Sequence, residues 1–242
     1  MAPHKYLVLC AAIACCTVAA QAQGTFQNLG FESATLVPIS GTSPSPVQFG
    51  PAFPGWTGSV GGVQLSGALY NSEFLDSSGI SIVDQGWANP LAGPSGTIEG
   101  NYTAILQAGL ASGPGGTLQP ADTALSQTGL VPLGTQSLRF KAYPALGQSG
   151  SFSVSIDGQP LSLAALSSGT NYTLFGADIG ALAGQTAQLT FTVFADRPHV
   201  VNEYLYLDSI QFSAVAIPEP RVLGLPTLGA LLLSWRLWRK RR

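Results

Sequence analysis

Four carboxylates fall within thirty residues of one another: Glu73, Asp76, Asp84 and Glu99. Paired carboxylates on an exported scaffold raise glycoside hydrolysis, which needs one raised-pKa acid and one ionised partner at a set separation. Spacing in the chain does not give that separation, and solvated loop acids remain the plainer reading. Other catalytic constellations are missing. The stretch 23–217 has one histidine, His199, beside a proline, and no cysteine to serve as a nucleophile. No Gly-x-Ser-x-Gly elbow occurs, and "SGPGG" (112–116) lacks the lysine and helix of a phosphate loop. The residue types therefore favour a protein that is not an enzyme, with a glycan-active hydrolase as the alternative. Trp56 and Trp87, with Tyr70 and Tyr102, offer a softer chemistry, since aromatic faces stack on sugar rings; burial in a core is the competing use.

The elements that must position these residues are strands. Gly, Pro, Ser and Thr are abundant and Lys, Glu and Arg scarce, which disfavours long helices. Apolar residues alternate in "SLRFKAY" (137–143), "SFSVSID" (151–157) and "AQLTFTVFA" (187–195), each predicting a strand with one buried face. In the first of these, Arg139 and Lys141 form the wet face. "ISIVD" (80–84), "YTAILQA" (102–108) and "EYLYLDSIQF" (203–212) add strands, and Asp157-Gly158 predicts a tight turn. Residues 38–56 and 109–123 read as loops, and 177–183 as the one helical turn. The class predicted is all-β, a two-sheet antiparallel β-sandwich of jelly-roll type.

Charge and targeting signals divide the 242-residue chain. Residues 1–22 have the form of a signal peptide: Lys5, an apolar run from Tyr6 to Ala20, then small residues leading to a cleavage point between Ala22 and Gln23. A loose lipobox, Ala12-Ile13-Ala14-Cys15, is the alternative. All three cysteines (Cys10, Cys15, Cys16) lie in this segment, so the rest must fold without disulfides. From Gln23 to Ile217 there are eleven acids and three bases (Arg139, Lys141, Arg197), a net charge of −8. That sign argues against nucleic acid as a partner. The body is assigned 23–215 and the tail 216–242. In the tail, an apolar run over about 222–238 is just long enough for a short transmembrane helix. Arg236, Arg239, Lys240, Arg241 and Arg242 would orient it with the body outside.

Two resemblances follow from particular residues. "NLGFES" (28–33) with "PGW" (54–56), "LSQTGLVPLGTQSLRFKA" (125–142) and "YLYLDSIQFS" (204–213) resemble the opening, middle hairpin and last strand of galactose-binding-like, carbohydrate-binding jelly-roll modules. That resemblance implies a polysaccharide partner and a structural Ca²⁺ held by an early Glu and a late Asp, here Glu32 and Asp208, with hydrogen-bonded strand ends as the alternative. The tail, with Pro218-Glu219-Pro220, an apolar span and an arginine-rich end, resembles the PEP-CTERM sorting signal. It implies signal peptidase and an exosortase as export partners, transient membrane anchoring, and delivery to the cell surface or the exopolysaccharide matrix. A plain C-terminal anchor is the alternative.

Overall fold

The computed structural model describes residues 25–40, 46–73, 77–89, 93–146, 150–195 and 203–217. In chain order the elements are β1 (Val47–Gln48), a one-turn helix α1 (Phe49–Ala52), β2 (Thr57–Val60), β3 (Val63–Gln64), β4 (Gly67–Tyr70), β5 (Gly79–Asp84), β6 (Tyr102–Ser112) and β7 (Leu118–Ala121). They continue with β8 (Thr123–Leu130), β9 (Ser137–Ala145), β10 (Ser151–Ile156), β11 (Gln159–Pro160), β12 (Ala164–Ser168), β13 (Thr173–Asp178), β14 (Thr186–Phe194) and β15 (Glu203–Ser213). One sheet runs β1-β4-β5-β6-β15-β9-β13-β12, with β7 paired to β6; the other runs β11-β10-β14-β8-β2-β3. Among the described residues, the named strands all pair antiparallel except β4 with β5. The protein is a two-sheet β-sandwich.

Alternation decides which face each strand buries. Ala187, Leu189, Phe191 and Val193 of β14 are buried, and the threonines between them are not. Leu138, Phe140 and Ala142 of β9 face inward, with Arg139 and Lys141 outward. The sheets meet through aromatic contacts: Phe140 lies edge-on to Phe191 with centroids 5.2 Å apart, and Phe191 reaches Trp56 at 6.3 Å. Each fully buried side chain of this size contributes roughly 1.5–3 kcal/mol. Packing of this kind carries a fold that has no disulfide between residues 23 and 217.

The last strand breaks its own alternation. Leu205 and Leu207 are core residues at odd positions, and Ile210 and Phe212 are core residues at even ones. One extra residue restores the match. Asp208 pairs with Lys141 and Gln211 with Arg139, three steps on β15 against two on β9, and Ser209 takes φ 49°. The amino-terminal segment crosses this bulge, where Ile210 N donates to Leu29 O at 2.9 Å. Phe31, in the same segment, packs against Phe53 and Trp56, each at 5.9 Å.

Three sequence expectations change. Residues 109–123 are not a plain loop, because β6 runs on to Ser112 and turns into β7. The resemblance to a middle hairpin fails: β8 and β9 belong to opposite sheets, so the link crosses the core. Residues 38–56 include β1 and α1 as well as loop. The turn Asp157-Gly158 joins β10 to β11 as expected, and the helical turn falls at Gly180–Leu182. Among the described residues no helix is long and apolar enough to cross a membrane; the span 222–238 lies outside them.

Candidate functional site

The outer face of the larger sheet holds most of the polar side chains with chemistry. Its centre is covered by the chain between β4 and β6. Val83, Trp87, Ile105, Tyr204 and Tyr206 form a second apolar cluster there, apart from the main core. Tyr206 anchors the cover. Its hydroxyl donates to Glu73 Oε1 at 2.8 Å and accepts from Asn89 Nδ2. Burial raises the Glu73 carboxyl above its usual range, and the Tyr206 bond partly offsets it. Burial, then the bond to Glu73, also raises the Tyr206 hydroxyl. A side chain at Gly93 would sit 2.4 Å from that hydroxyl, so close approach of the backbone requires glycine.

Asp208 is the buried acid of this face, 1% exposed. Thr103 Oγ1 donates to its Oδ2 at 2.7 Å, Glu99 N to the same oxygen at 3.1 Å, and Ser209 N to Oδ1 at 2.6 Å. Burial pushes its carboxyl up to about 7; these bonds oppose the rise, and the nearby Glu32 charge adds to it. Glu32 itself holds the loop before β6. Asn101 N donates to both carboxylate oxygens at 2.8 and 3.0 Å, Asn101 Nδ2 to Oε2 at 2.7 Å, and Tyr102 N to Oε1 at 3.2 Å. Gly100 makes this possible, with φ 62° and no side chain where a Cβ would lie 2.2 Å from Oε1.

The expected calcium ion can be tested against these donors. Two carboxylates, one of them buried, are the hard oxygen ligands Ca²⁺ takes. The Asp208 charge suits a cation, but Glu32 has both oxygens engaged by N–H groups. A cation would fit only if the Asn101 amides gave way. Among the described residues no three of His, Cys, Asp and Glu gather as a metal cluster.

Two cavities flank the loop before β6. The first, about 390 Å³, is lined by Asn71, Asp84, Gln85, Gly86, Asn101 and Tyr102. Asp84 organises it. It accepts from the Tyr70 hydroxyl, from Asn71 Nδ2 at 2.7 Å and from Gly86 N at 2.8 Å, and its own N–H donates to Asn71 Oδ1 at 2.9 Å. Burial works upward on the Asp84 carboxyl, but the bonds from Tyr70, Asn71 and Gly86 outweigh it and leave it below its ordinary range. The bond to Asp84, then burial, pushes the Tyr70 hydroxyl up to about 12. The second cavity, about 470 Å³, lies at the β15 bulge beside Arg139, Lys141, Ser209 and Gln211. On its edge Lys141 Nζ reaches Glu99 Oε2 at 2.8 Å, and Ser209 Oγ donates to the same oxygen. The Lys141 bond, then the Ser209 bond, lowers the Glu99 carboxyl.

The sequence-expected residues fare unequally. Trp56 is 5% exposed, held by its Nε1 bond to Asn28 O at 3.1 Å among core aromatics. Trp87 is 6% exposed inside the outer cluster. Neither indole offers a ring face to a sugar, which corrects that expectation. Gly55 (φ 83°) explains Trp56, because the Pro-Gly turn directs the indole inward rather than to a loop tip. Glu32, in a turn before β1, lies near enough to Asp208 for its charge to act on that carboxyl. The three described acids of the carboxylate set hold different partners: Glu73 with Tyr206, Asp84 with Tyr70 and Asn71, and Glu99 with Lys141. Asp76, His199, Ala22, Gln23, Pro218, Glu219, Pro220 and the basic residues from Arg236 to Arg242 lie outside the described residues. Sequence reading missed Asn71, Gln85 and Thr103, and it took Arg139 and Lys141 only as a wet face. The parity break in "YLYLDSIQF" marks the surroundings of Thr103, Arg139 and Lys141.

Known proteins add little to this geometry. No family matches the chain, and no curated protein matches it. Among solved structures it is similar to TmCBM61 in complex with beta-1,4-galactotriose, at 13% identity and a TM-score of 0.43, covering 78% of this chain and 97% of that one. At that distance the likeness carries no argument about this chain.

Asp208 generates a prediction with a definite sign. Its folded-state pKa, about 7, lies above the ordinary 3.8, so the folded protein holds the extra proton between those values. Its contribution is present below pH 4 and is lost as pH rises through 7, by roughly 4 kcal/mol. Asp84 and Glu99, with lowered pKa values, lose stability in the opposite direction, as pH falls. The difference in urea stability between Asp208→Asn and the unaltered protein therefore isolates the acid. It should widen in favour of Asp208→Asn from pH 4 to pH 8. Parallel pH profiles would refute a buried, costly charge.

Proposed function

We propose that this chain is an exported, surface-sorted, non-catalytic protein whose sandwich contacts glycan in the envelope or the exopolysaccharide matrix. The strand order supports reading the body as a jelly roll. The chain visits β6, β8, β9, β10, β11, β13, β14 and β15, and these strands form two four-stranded runs, β6-β15-β9-β13 and β8-β14-β10-β11. That interleaving is what two nested Greek keys produce.

The observation that carries glycan contact is the cavity around Asp84. Asn71 is fixed on the Asp84 carboxylate, Gln85 Nε2 on Gly100 O and Asn101 Nδ2 on Glu32, with Tyr102 beside them. Preformed planar acceptors and donors beside an aromatic residue suit the hydroxyls and C–H face of a sugar, with little ordering cost on binding. The separate partners of Glu73, Asp84 and Glu99 support the non-catalytic reading over a hydrolase. In a titration against a panel of oligosaccharides, the full chain should bind without releasing product. Asp84→Ala and Tyr102→Ala should each weaken binding at least tenfold. Product release that Glu73→Gln abolishes would establish the hydrolase instead.

A structural cation between Asp208 and Glu32 is a second reading, favoured by the buried Asp208 charge with Glu32 near it. It requires Glu32 to exchange the Asn101 amides for the ion. Millimolar Ca²⁺ should then raise the Tm by several degrees, an effect absent in Asp208→Asn. An unchanged Tm on adding Ca²⁺ or a chelator removes this reading.

Surface sorting rests on the order of Pro218-Glu219-Pro220, the apolar span and the basic end. Proline is a poor residue for helix and sheet interiors, so the motif suits a membrane protease that takes an extended chain. Replacing all three residues by alanine should leave the tail attached in the native host, as read by intact mass. Normal removal of the tail from that variant would overturn the assignment.

A further inference from the structure

We propose that the cavity at the β15 bulge is a subsite for the carboxylate of an acidic sugar, with Arg139 as its anion-binding residue. The inference rests on the glycan-contact reading and adds the charge of the ligand and a second place where it is held.

Cations are rare in this protein, and their placement is therefore informative. Only three bases lie between Gln23 and Ile217, and two of them, Arg139 and Lys141, border this one cavity. They stand two residues apart on β9, on the face opposite the core. Lys141 is committed: it pairs with Glu99 and lies 5.0 Å from the centre of the Tyr172 ring. Asp208, which pairs with Lys141 across the strands, is enclosed by Thr103, Ser209 and the Glu99 amide. Glu99 is the one acid on the cavity wall, and Lys141 and Ser209 occupy its Oε2.

Arg139 has no such commitment. Its Nε donates to Ser137 Oγ and its Nη2 to Val215 O, both at 3.2 Å. Both acceptors are neutral, and neither bond uses Nη1. Among the described residues no carboxylate pairs with this guanidinium. The two bonds fix a half-buried, charged fork in place, and a fixed fork is the group that recognises a planar carboxylate through paired hydrogen bonds. Partial burial strengthens such a pair over its worth in open water.

The bulge supplies the rest. It sets Gln211 directly across from Arg139, where its amide can meet a ring hydroxyl, and Ser209 lines the same cavity. Leu174 gives the wall an apolar part suited to the C–H face of a pyranose. A cavity of about 470 Å³ admits a sugar ring. The net charge of −8 on the body repels a polyanion at long range, but at physiological salt that repulsion fades beyond about 8 Å, and the local pair decides.

The test compares polygalacturonate fragments with their carboxyl-reduced, neutral counterparts by titration calorimetry on the full chain at 150 mM salt. The acidic form should bind at least tenfold more tightly. Arg139→Gln should remove that preference, bringing the affinities for the two forms together, and Arg139→Lys should restore part of it. Arg139 also ties Ser137 to Val215, so a second variant leaves those bonds intact. Gln211→Glu puts a carboxylate beside the guanidinium and should abolish the preference in a protein of unchanged urea midpoint. Equal binding of acidic and neutral forms, lost in Asp84→Ala, would sink this inference while glycan contact stands. Preference for the acidic form that survives both Arg139→Gln and Gln211→Glu would also overturn it. Binding of neither form would overturn it together with the glycan reading.

Discussion

Leu205 and Leu207 can share a buried face with Ile210 and Phe212 only if the strand that carries them takes in one extra residue. That constraint organises the outer face of the molecule. The bulge it forces places Asp208 beside Lys141 and Gln211 beside Arg139, and it frees Ile210 N to bond the amino-terminal segment at Leu29. It also puts Ser209, in a left-handed conformation, against Glu99. Without the bulge, either the two leucines or Ile210 and Phe212 would leave the main core for the outer face, at a cost of several kcal/mol. The apolar residues thus fix the backbone irregularity, and the irregularity fixes where the polar groups meet.

The second consequence concerns the cover over the larger sheet. The described stretches on either side of β5, residues 71–73, 77–78, 85–89 and 93–101, have little regular structure, and they must be held without a disulfide. Trp87 and Ile98 supply apolar contact, while Tyr206 bonds two points of the cover at once, Glu73 and Asn89. Asp208 adds a third tie through Glu99 N, and Glu32 a fourth through Asn101 and Tyr102. Each uses an acid or a phenol where a cystine might otherwise serve. The raised carboxyls of Glu73 and Asp208 show that this comes at an energetic cost. A buried charge is tolerated when its hydrogen bonds are made, and removing one partner is then more damaging than never having had the pair.

How much of this was readable depends on which faces are wet. β9, β10 and β14 alternate because one face meets water or the cover's rim, so period two gave them nearly residue by residue. β5 and β6 are buried on both faces, which blurs the period, and only their apolar run marks them. The hairpin after Gly109 was hidden by its glycines and by Pro120, residues that sheets accept at edges. Sheet membership was not readable: β8 and β9 are separated by a short turn, yet they lie in opposite layers, a choice set by pairing with β14 and β15 far along the chain. The tryptophans misled for a related reason. A Pro-Gly turn marks a change of direction, and whether the next indole ends in solvent or core depends on what crosses above it, here Phe31 and Phe191.

The acids show why the cations matter. In a body with so few bases, a carboxylate must be stabilised mainly by N–H and O–H donors. Asp122 accepts Ala195 N, Asp157 accepts Gln188 N, and Asp178 accepts Gly180 N, at 2.8 to 3.0 Å. Glu32, Asp84 and Asp208 do the same. Glu99 is paired with a base, Lys141. Amide donors therefore carry the anchoring that ion pairs would carry in a protein with more lysine and arginine. A guanidinium left unpaired in such a protein is not explained by the needs of its own acids. Arg139 has two neutral acceptors to orient it and a cavity beside it, and that combination is what a binding residue requires and a structural one does not.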